Sequence, residues 1–391
     1  MDSLVARRLA AQQARWPCTA IGIGPMSANC VEATVELANE HRVDLMLVAS
    51  RRQVDTDALG AGYVCGWNAA RFAEFVRQRD RHGHVLLCRD HGGPWQNSQE
   101  IARGFDERQA MDSARRSYEE DIEAGFSVIH LDPSVIPSGE FDEAVILERL
   151  FALYDHVCDT AGRLGRDIVV EIGAEEQDHV SHSLDLLEGQ LEQVARFCRE
   201  NGRPPPFYVV VQTGAKVVET YNIGSLNSPY RVEDEVPTAV QLPLTINMLR
   251  RFGYHLKQHN SDYLTDEVVR WLPLYGVHAA NVAPEFGVAE SRALLAILES
   301  RQLHALRDRF LELAYESRKW EKWMLPDSRA SVRERAVIAG HYVFSEPAFQ
   351  ELKERAQRDL DAAGLDLDHL LKARIKEQIL RYLVGFRLVT A

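Results

Sequence analysis

Groups that bind metals or move protons recur where short β-branched runs of the sequence end. Asp90-His91 closes HVLLCRD (84–90), Asp132-Pro133-Ser134 closes SVIHLD (127–132), and Glu175 follows DIVVEIG (167–173). Gln212 ends FYVVVQ (207–212), His259 ends GYHLKQH (253–259), and Asn281 lies in VHAANVA (277–283). Burying such groups unpaired is costly, so their repetition at strand ends predicts one shared site. His91 and His259 with the Glu175 carboxylate and the Gln212 amide oxygen make a donor set for a divalent metal, with Zn2+ expected. Such an ion polarises a ketose carbonyl or stabilises an enediolate. Asp90, beside His91, is the expected acid/base for a hydroxyl or carbon-bound proton. Inverting a carbon centre by proton transfer needs a second acid/base on the opposite face, for which Glu175, Glu176 and Asp262 are candidates.

These residues can meet only if the runs form one sheet. TAIGIG (19–24) and DLMLVAS (44–50) bring the number of runs to eight, and segments of helical period lie between them, including 67–81, 107–124, 140–162, 181–200 and 287–300. Eight strand–helix repeats without a G-x-G-x-x-G after the first strand predict an α/β fold, a closed (β/α)8 TIM barrel rather than a dinucleotide fold. Catalytic groups of such a barrel sit at the C-terminal ends of its strands. From about residue 303 the β-rich runs stop, and helical stretches near 303–317, 329–342, 346–362 and 367–385 follow. The expected organisation is a barrel over 1–302 carrying the site and a helical C-terminal extension over 303–391.

Charge and composition narrow the partners. Lys and Arg number 45 against 58 Asp and Glu, a net charge of −13, and no basic run forms a patch for phosphate backbones, so nucleic acid is not expected. No apolar stretch approaches membrane-spanning length and the N-terminal residues lack a leader pattern, which predicts a cytoplasmic protein without a membrane partner. The six cysteines are scattered and read as reduced, mostly buried thiols. His130 and His278, inside strands, read as satisfied core histidines. Trp67 and Trp95 either stack on a sugar face or pack. The Arg/Glu run 315–335 reads as a solvated helical face or a contact in a homo-oligomer.

At the same residues the sequence resembles the non-catalytic-subunit family of class II D-tagatose-1,6-bisphosphate aldolases, and more remotely the catalytic class II aldolases. CRDHGGPW (88–95) is similar to the family's GGDHLGPN block, and AGFSVIHLDPS (124–134) to its AGF-x-x-IHLD-x-S. IGAE (172–175), VVQTG (210–214), HNSDY (259–263) and NVAPEFGVAESRAL (281–294) follow in the family's order. The resemblance implies a metal held at His91, Glu175 and His259, with Gln212 where the catalytic enzymes have a further histidine, and Asp90 as catalytic aspartate. It also places Lys216, Ser261 and Asn281 in segments that resemble phosphate-handling loops. The chain departs from the family at Val48, Arg52, Lys216 and Val218-Glu219-Thr220. The cations Arg52 and Lys216 suggest a substrate with more or differently placed negative charge. The expected substrate contacts are Ser27, Arg52, Trp95, Asp132, Ser134, Lys216, Ser261 and Asn281.

Three functions follow as expectations. The first is a metal-dependent epimerase, acting at C4 of a ketose, sugar phosphate or related activated sugar by retro-aldol/aldol or deprotonation chemistry. The second is a stabilising subunit for a catalytic aldolase partner. The third is an independent class II aldolase.

Overall fold

Residues 3–137, 142–173, 183–226 and 237–390 are described by the structure, a computed structural model. The barrel strands are β1 (Ala20–Ile23), β2 (Leu45–Ser50), β3 (Val85–Gly92), β4 (Val128–Leu131), β5 (Val169–Ile172) and β6 (Tyr208–Val210). An antiparallel hairpin of β7 (Lys216–Val218) and β8 (Tyr221–Ile223) intervenes before β9 (His255–Gln258) and β10 (Ala279–Val282) complete the wall. Because β6 pairs with β9 and β10 with β1, all in parallel, the cylinder closes and the hairpin stands outside it. The architecture is the expected (β/α)8 TIM barrel with further helices at the C-terminus, and each run matches its strand to within two residues at either end.

Local signals start and stop the surrounding helices. Glu107–Ala124 opens with a capping box between Asp106 and Gln109 and ends at Gly125 in the left-handed region. Glu143–Leu164 is capped by Asp142 and ends at a left-handed Gly165.

Alternation sorts the strand side chains into two layers. Leu47, Leu87, Ile129, Val170 and Leu256 pack outward against the helices. Met46, Leu86, Cys88, Val128, Val169, Tyr208 and Ala279 fill the lower barrel interior with Leu9, whose helix Leu4–Arg15 plugs the floor. One outward position of β3 is charged. Arg89 is fully buried, forms a bidentate pair with Asp121 at 2.6 and 2.7 Å, and donates to the carbonyls of Ala49 and Val54, both at 2.8 Å. This network ties the end of β2 to β3.

Past the barrel, the helices His304–Glu316, Val332–Val343 and Pro347–Asp361 bury an apolar cluster with Pro284–Ser300, centred on Leu294, Leu298, Phe310 and Phe349. The last helix, Leu367–Gly385, returns to the barrel, adding Ile375, Ile379 and Tyr382 to its core. Among the described residues no helix is long and apolar enough to cross a membrane.

Candidate metal and active site

The alternation that fills the barrel's lower interior with apolar groups turns polar one step higher. Cys88 is followed two residues later by Asp90, Val128 by His130, Val169 by Glu171 and Ala279 by Asn281. Register sets His130 beside Glu171 on neighbouring strands, and His259 arrives just past the end of β9. One donor atom from each of Asp90, His130, Glu171 and His259 lies within 4.8 Å of the other three. His259 Nε2 is 3.3 Å from Glu171 Oε1 and 3.5 Å from Asp90 Oδ1, while His130 Nδ1 is 3.7 and 3.9 Å from the same oxygens.

Charge is not balanced among these groups. Lys257 Nζ lies 2.6 Å from Glu171 Oε2, and both side chains are buried. Burial opposes ionisation of Glu171, yet the Lys257 ammonium and the adjacent imidazoles hold its carboxyl well below the usual carboxylate range. One buried ammonium thus faces two carboxylates, and burial keeps His130 below its ordinary value, toward the neutral ring. His130 Nε2 is buried with no hydrogen-bond partner among the described residues. Two imidazoles and two carboxylates with surplus negative charge fit a divalent cation.

His91 stands at the rim of the same cluster. Its ring centroid is 5.0 Å from that of His259 and 5.6 Å from that of His130. The register between β3 and β4 shifts between Arg89 and Gly92, and His91 adopts a positive φ of 43°. Such a bulge re-aims side chains, which accounts for consecutive residues, Asp90 and His91, both reaching the mouth. The His91 Nδ1 to Asp132 Oδ2 distance is 2.7 Å, and Asp132 also accepts from Gln96 Nε2 and the Ser134 hydroxyl. Although burial raises it, the bond to His91 and that ring's charge bring the Asp132 carboxyl down to about 2. Gly93 is required in this turn, since its φ is 148° and a Cβ there would sit 2.1 Å from the Asp132 carbonyl oxygen. Across the barrel, Asn281 Nδ2 donates to Asp90 Oδ1 at 3.1 Å. Gly22 leaves room for that amide, because a Cβ on it would fall 2.1 Å from Asn281 Oδ1.

Above the cluster lies a pocket of about 250 Å³, with Asp90, His91, His259 and Asn281 in its floor. Arg52, Tyr63 and Asp262 line its sides, and Lys322, Trp323 and Tyr342 come from the C-terminal helical region. Asp262 Oδ1 accepts the amides of Ala283 and Glu285, and burial with the nearby Glu285 charge lifts its carboxyl to about 8.

Of the expected ligands, His259 is in the four-residue group, His91 is beside it, Gln212 lies two residues past β6, and Glu175 falls outside the described residues. Glu176 also lies outside them. Arg52, Asn281 and Asp262 line the pocket. Asp132 and Ser134 instead sit behind His91, where they fix its ring. Lys216 opens the hairpin without lining the pocket, and Val217 faces it instead. Trp95 does not line it either: its buried indole donates to the Phe105 carbonyl and packs against the Arg149 guanidinium at 5.0 Å. Ser261 is buried, accepting from Gln258 Nε2. Trp67 packs on Phe72 and Phe75. Glu171, Lys257, Lys322, Trp323 and Tyr342 lie outside the polar strand ends, and His130, expected in the core, stands in the four-residue group. Period-two counting from the interior apolar residues is the signal that finds Glu171 and His130.

Ser27 is not among the residues lining the pocket. It caps the helix Ala28–His41 and donates to Glu290 Oε2 at 2.5 Å, while Asn29 Nδ2 donates to Glu290 Oε1 at 2.9 Å. Despite these bonds, burial raises the Glu290 carboxyl from its ordinary 4.5 to about 7. The folded chain then holds a proton that the unfolded chain releases, so this group's contribution to stability declines as pH rises from about 4.5 to about 7. Glu290→Gln is expected to flatten that part of the decline in urea-denaturation midpoints across the window, and an unchanged slope would contradict the assignment.

Comparison with known proteins agrees with the fold. No curated protein matches the sequence. A probable tagatose 6 phosphate kinase from Sinorhizobium meliloti shares the fold at a TM-score of 0.75 and 19% identity, over 94% of this chain and 100% of that one. The glycerol-complexed fructuronate-tagaturonate epimerase UxaE from Cohnella laeviribosi superposes at a TM-score of 0.54 and 14% identity, over 95% of this chain and 81% of that one. Fructose-bisphosphate aldolase from Campylobacter jejuni does so at 0.52 and 12%, over 98% and 94%. Residues 7–175, which contain β1 to β5 and with them Asp90, His91, His130 and Glu171, match the D-tagatose-1,6-bisphosphate aldolase subunit GatZ/KbaZ-like family model, and over that part the chain is similar to this family.

Proposed function

We propose that the protein is a metal-dependent carbohydrate epimerase acting at C4 of a ketose or sugar phosphate. The carrying observation is the convergence of Asp90, His130, Glu171 and His259 under a small polar pocket. The similarity to an aldolase-subunit family and the fold shared with a sugar epimerase and an aldolase support a carbohydrate substrate. His130, Glu171 and His259 would hold the ion, expected to be Zn2+, with His91 facing it from the rim. When bound, it supplies Lewis acidity toward a substrate carbonyl.

The chain's own groups then handle the protons. Asp90, steadied by Asn281, takes the proton from the C4 hydroxyl as the C3–C4 bond breaks to a C4 aldehyde and an enediolate, and the bond re-forms on the opposite face of that aldehyde. Asp262, whose carboxyl burial and the nearby Glu285 charge lift to about 8, can return one from another wall. Asp132 keeps the His91 ring oriented through Nδ1. Lys257 keeps Glu171 ionised and fixed.

A second reading comes from the matched family's description as an aldolase subunit: the chain would stabilise a separate catalytic partner. The two are separated by metal analysis of the purified protein together with NMR of ketoses and ketose phosphates incubated in D2O. The epimerase reading expects a C4 epimer to accumulate with wild type and not with His259→Ala. Deuterium at the inverted carbon would indicate deprotonation there. Absence of both metal and turnover would favour the subunit reading.

A further inference from the structure

The roof of the pocket comes from the chain's C-terminal region. Lys322 and Trp323 lie on a short 3-10 turn, Glu321–Trp323, and Tyr342 ends its wall from the helix Val332–Val343. The turn is pinned to the β7–β8 hairpin, since the Glu219 amide donates to the Trp323 carbonyl at 2.7 Å. Lys322 Nζ lies 4.6 Å from the Trp323 ring centroid and 5.3 Å from that of Tyr342. Arg52, on the loop after β2, lines the same pocket, its Nε donating to the Gln96 carbonyl.

Two features of this roof point to a ligand. Elsewhere some surface cations sit beside carboxylates, as Arg71 does with Asp57 and Arg251 with Glu188. Among the described residues neither Arg52 nor Lys322 has a carboxylate within 4.0 Å, although both face the pocket. Independently, the Trp323 indole Nε1 is buried with no hydrogen-bond partner among the described residues. Buried donors are nearly always satisfied, and this one belongs to a residue lining the pocket.

We infer that the C-terminal turn determines substrate specificity: Lys322 with Arg52 receives a terminal anionic group, phosphate ester or carboxylate, of a small sugar, and Trp323 Nε1 donates to one of its oxygens. This rests on the reading of the floor as a sugar site. Size narrows the class further. At about 250 Å³ the pocket falls below the roughly 300–1,000 Å³ of sites for drug-sized ligands, which favours a small sugar. The cations Arg52 and Lys322 also replace the expected pair of Arg52 and Lys216, because the hairpin turns Val217 rather than Lys216 toward the pocket.

Calorimetric titration of the full chain with fructose, fructose 6-phosphate and fructuronate tests this without requiring turnover. At low salt at least one of the two anions is expected to bind about tenfold or more tightly than fructose, the scale of one charge-assisted hydrogen bond, and the preference should shrink with added salt. Which anion leads identifies phosphate or carboxylate. Lys322→Met is expected to remove most of that preference, Lys322→Arg to restore it, and Trp323→Phe to weaken binding about threefold to tenfold while keeping the aromatic wall. Fructose binding as tightly as both anions, no binding of either anion at millimolar concentration, or a preference that survives Lys322→Met would overturn the inference. Turnover of neutral ketoses without an anion preference would sink this inference and leave the epimerase standing. Anion preference without turnover would do the reverse.

Discussion

Asp90→Asn is expected to lower kcat for ketose epimerisation about 10²- to 10⁴-fold, the range for loss of a positioned general acid/base. Asparagine keeps the size of the side chain and an oxygen that can accept from Asn281 Nδ2, so the fold should be retained. The stability of the variant, read by thermal unfolding, should therefore stay close to wild type while the rate collapses. Single-turnover kinetics would check that the loss lies in chemistry rather than in substrate binding. Retention of more than about a tenth of the wild-type rate would remove Asp90 from the reaction.

The second large effect concerns stability rather than rate. Asp121→Ala would leave the Arg89 guanidinium fully buried without its bidentate partner, which costs about 3–5 kcal/mol. That is a large fraction of the ~5–15 kcal/mol by which a domain is usually stable. Arg89 also holds the Ala49 and Val54 carbonyls, so the loss reaches the residues next to Ser50 and Asp90. Chemical denaturation of Asp121→Ala should show a large drop in midpoint. Arg89→Leu with Asp121→Leu should recover part of it, since removing both members of a buried pair is milder than removing one. A single variant as stable as wild type would show that the network is dispensable.

The barrel was legible because its strands are strongly apolar and its helices carry clear caps and breakers, as at Asp106 and Gly125. The site was half legible. Taking the last polar residue of each run selected Asp90, His91, His259 and Asn281, all of which line the pocket. The same rule chose Glu175 after β5 and passed over Glu171 inside it. A glutamate among Val169, Val170 and Ile172 is paradoxical until its partner is known, and Lys257 lies 86 residues away. No local pattern encodes that pair. The hairpin was missed because its strands are three residues each and its turn, Glu219-Thr220, lacks the glycine or asparagine of common hairpin turns; Glu219 takes a positive φ of 51° instead. The roof was invisible for a related reason. Helical periodicity in the C-terminal region says which faces are apolar, but not that Lys322 and Trp323 hang over strands that lie far earlier in the chain.

His130, Glu171 and His259, from β4, β5 and the end of β9, are expected to hold one cation beside Asp90. X-ray absorption and metal analysis of the protein purified without chelators test it most directly, with His130→Ala and Glu171→Gln measured alongside wild type. One divalent ion per chain in a mixed nitrogen and oxygen shell, lost or strongly weakened in both variants, is the predicted result. An ion retained unchanged in both variants, or none taken up by the wild type when zinc or manganese is supplied, would contradict it.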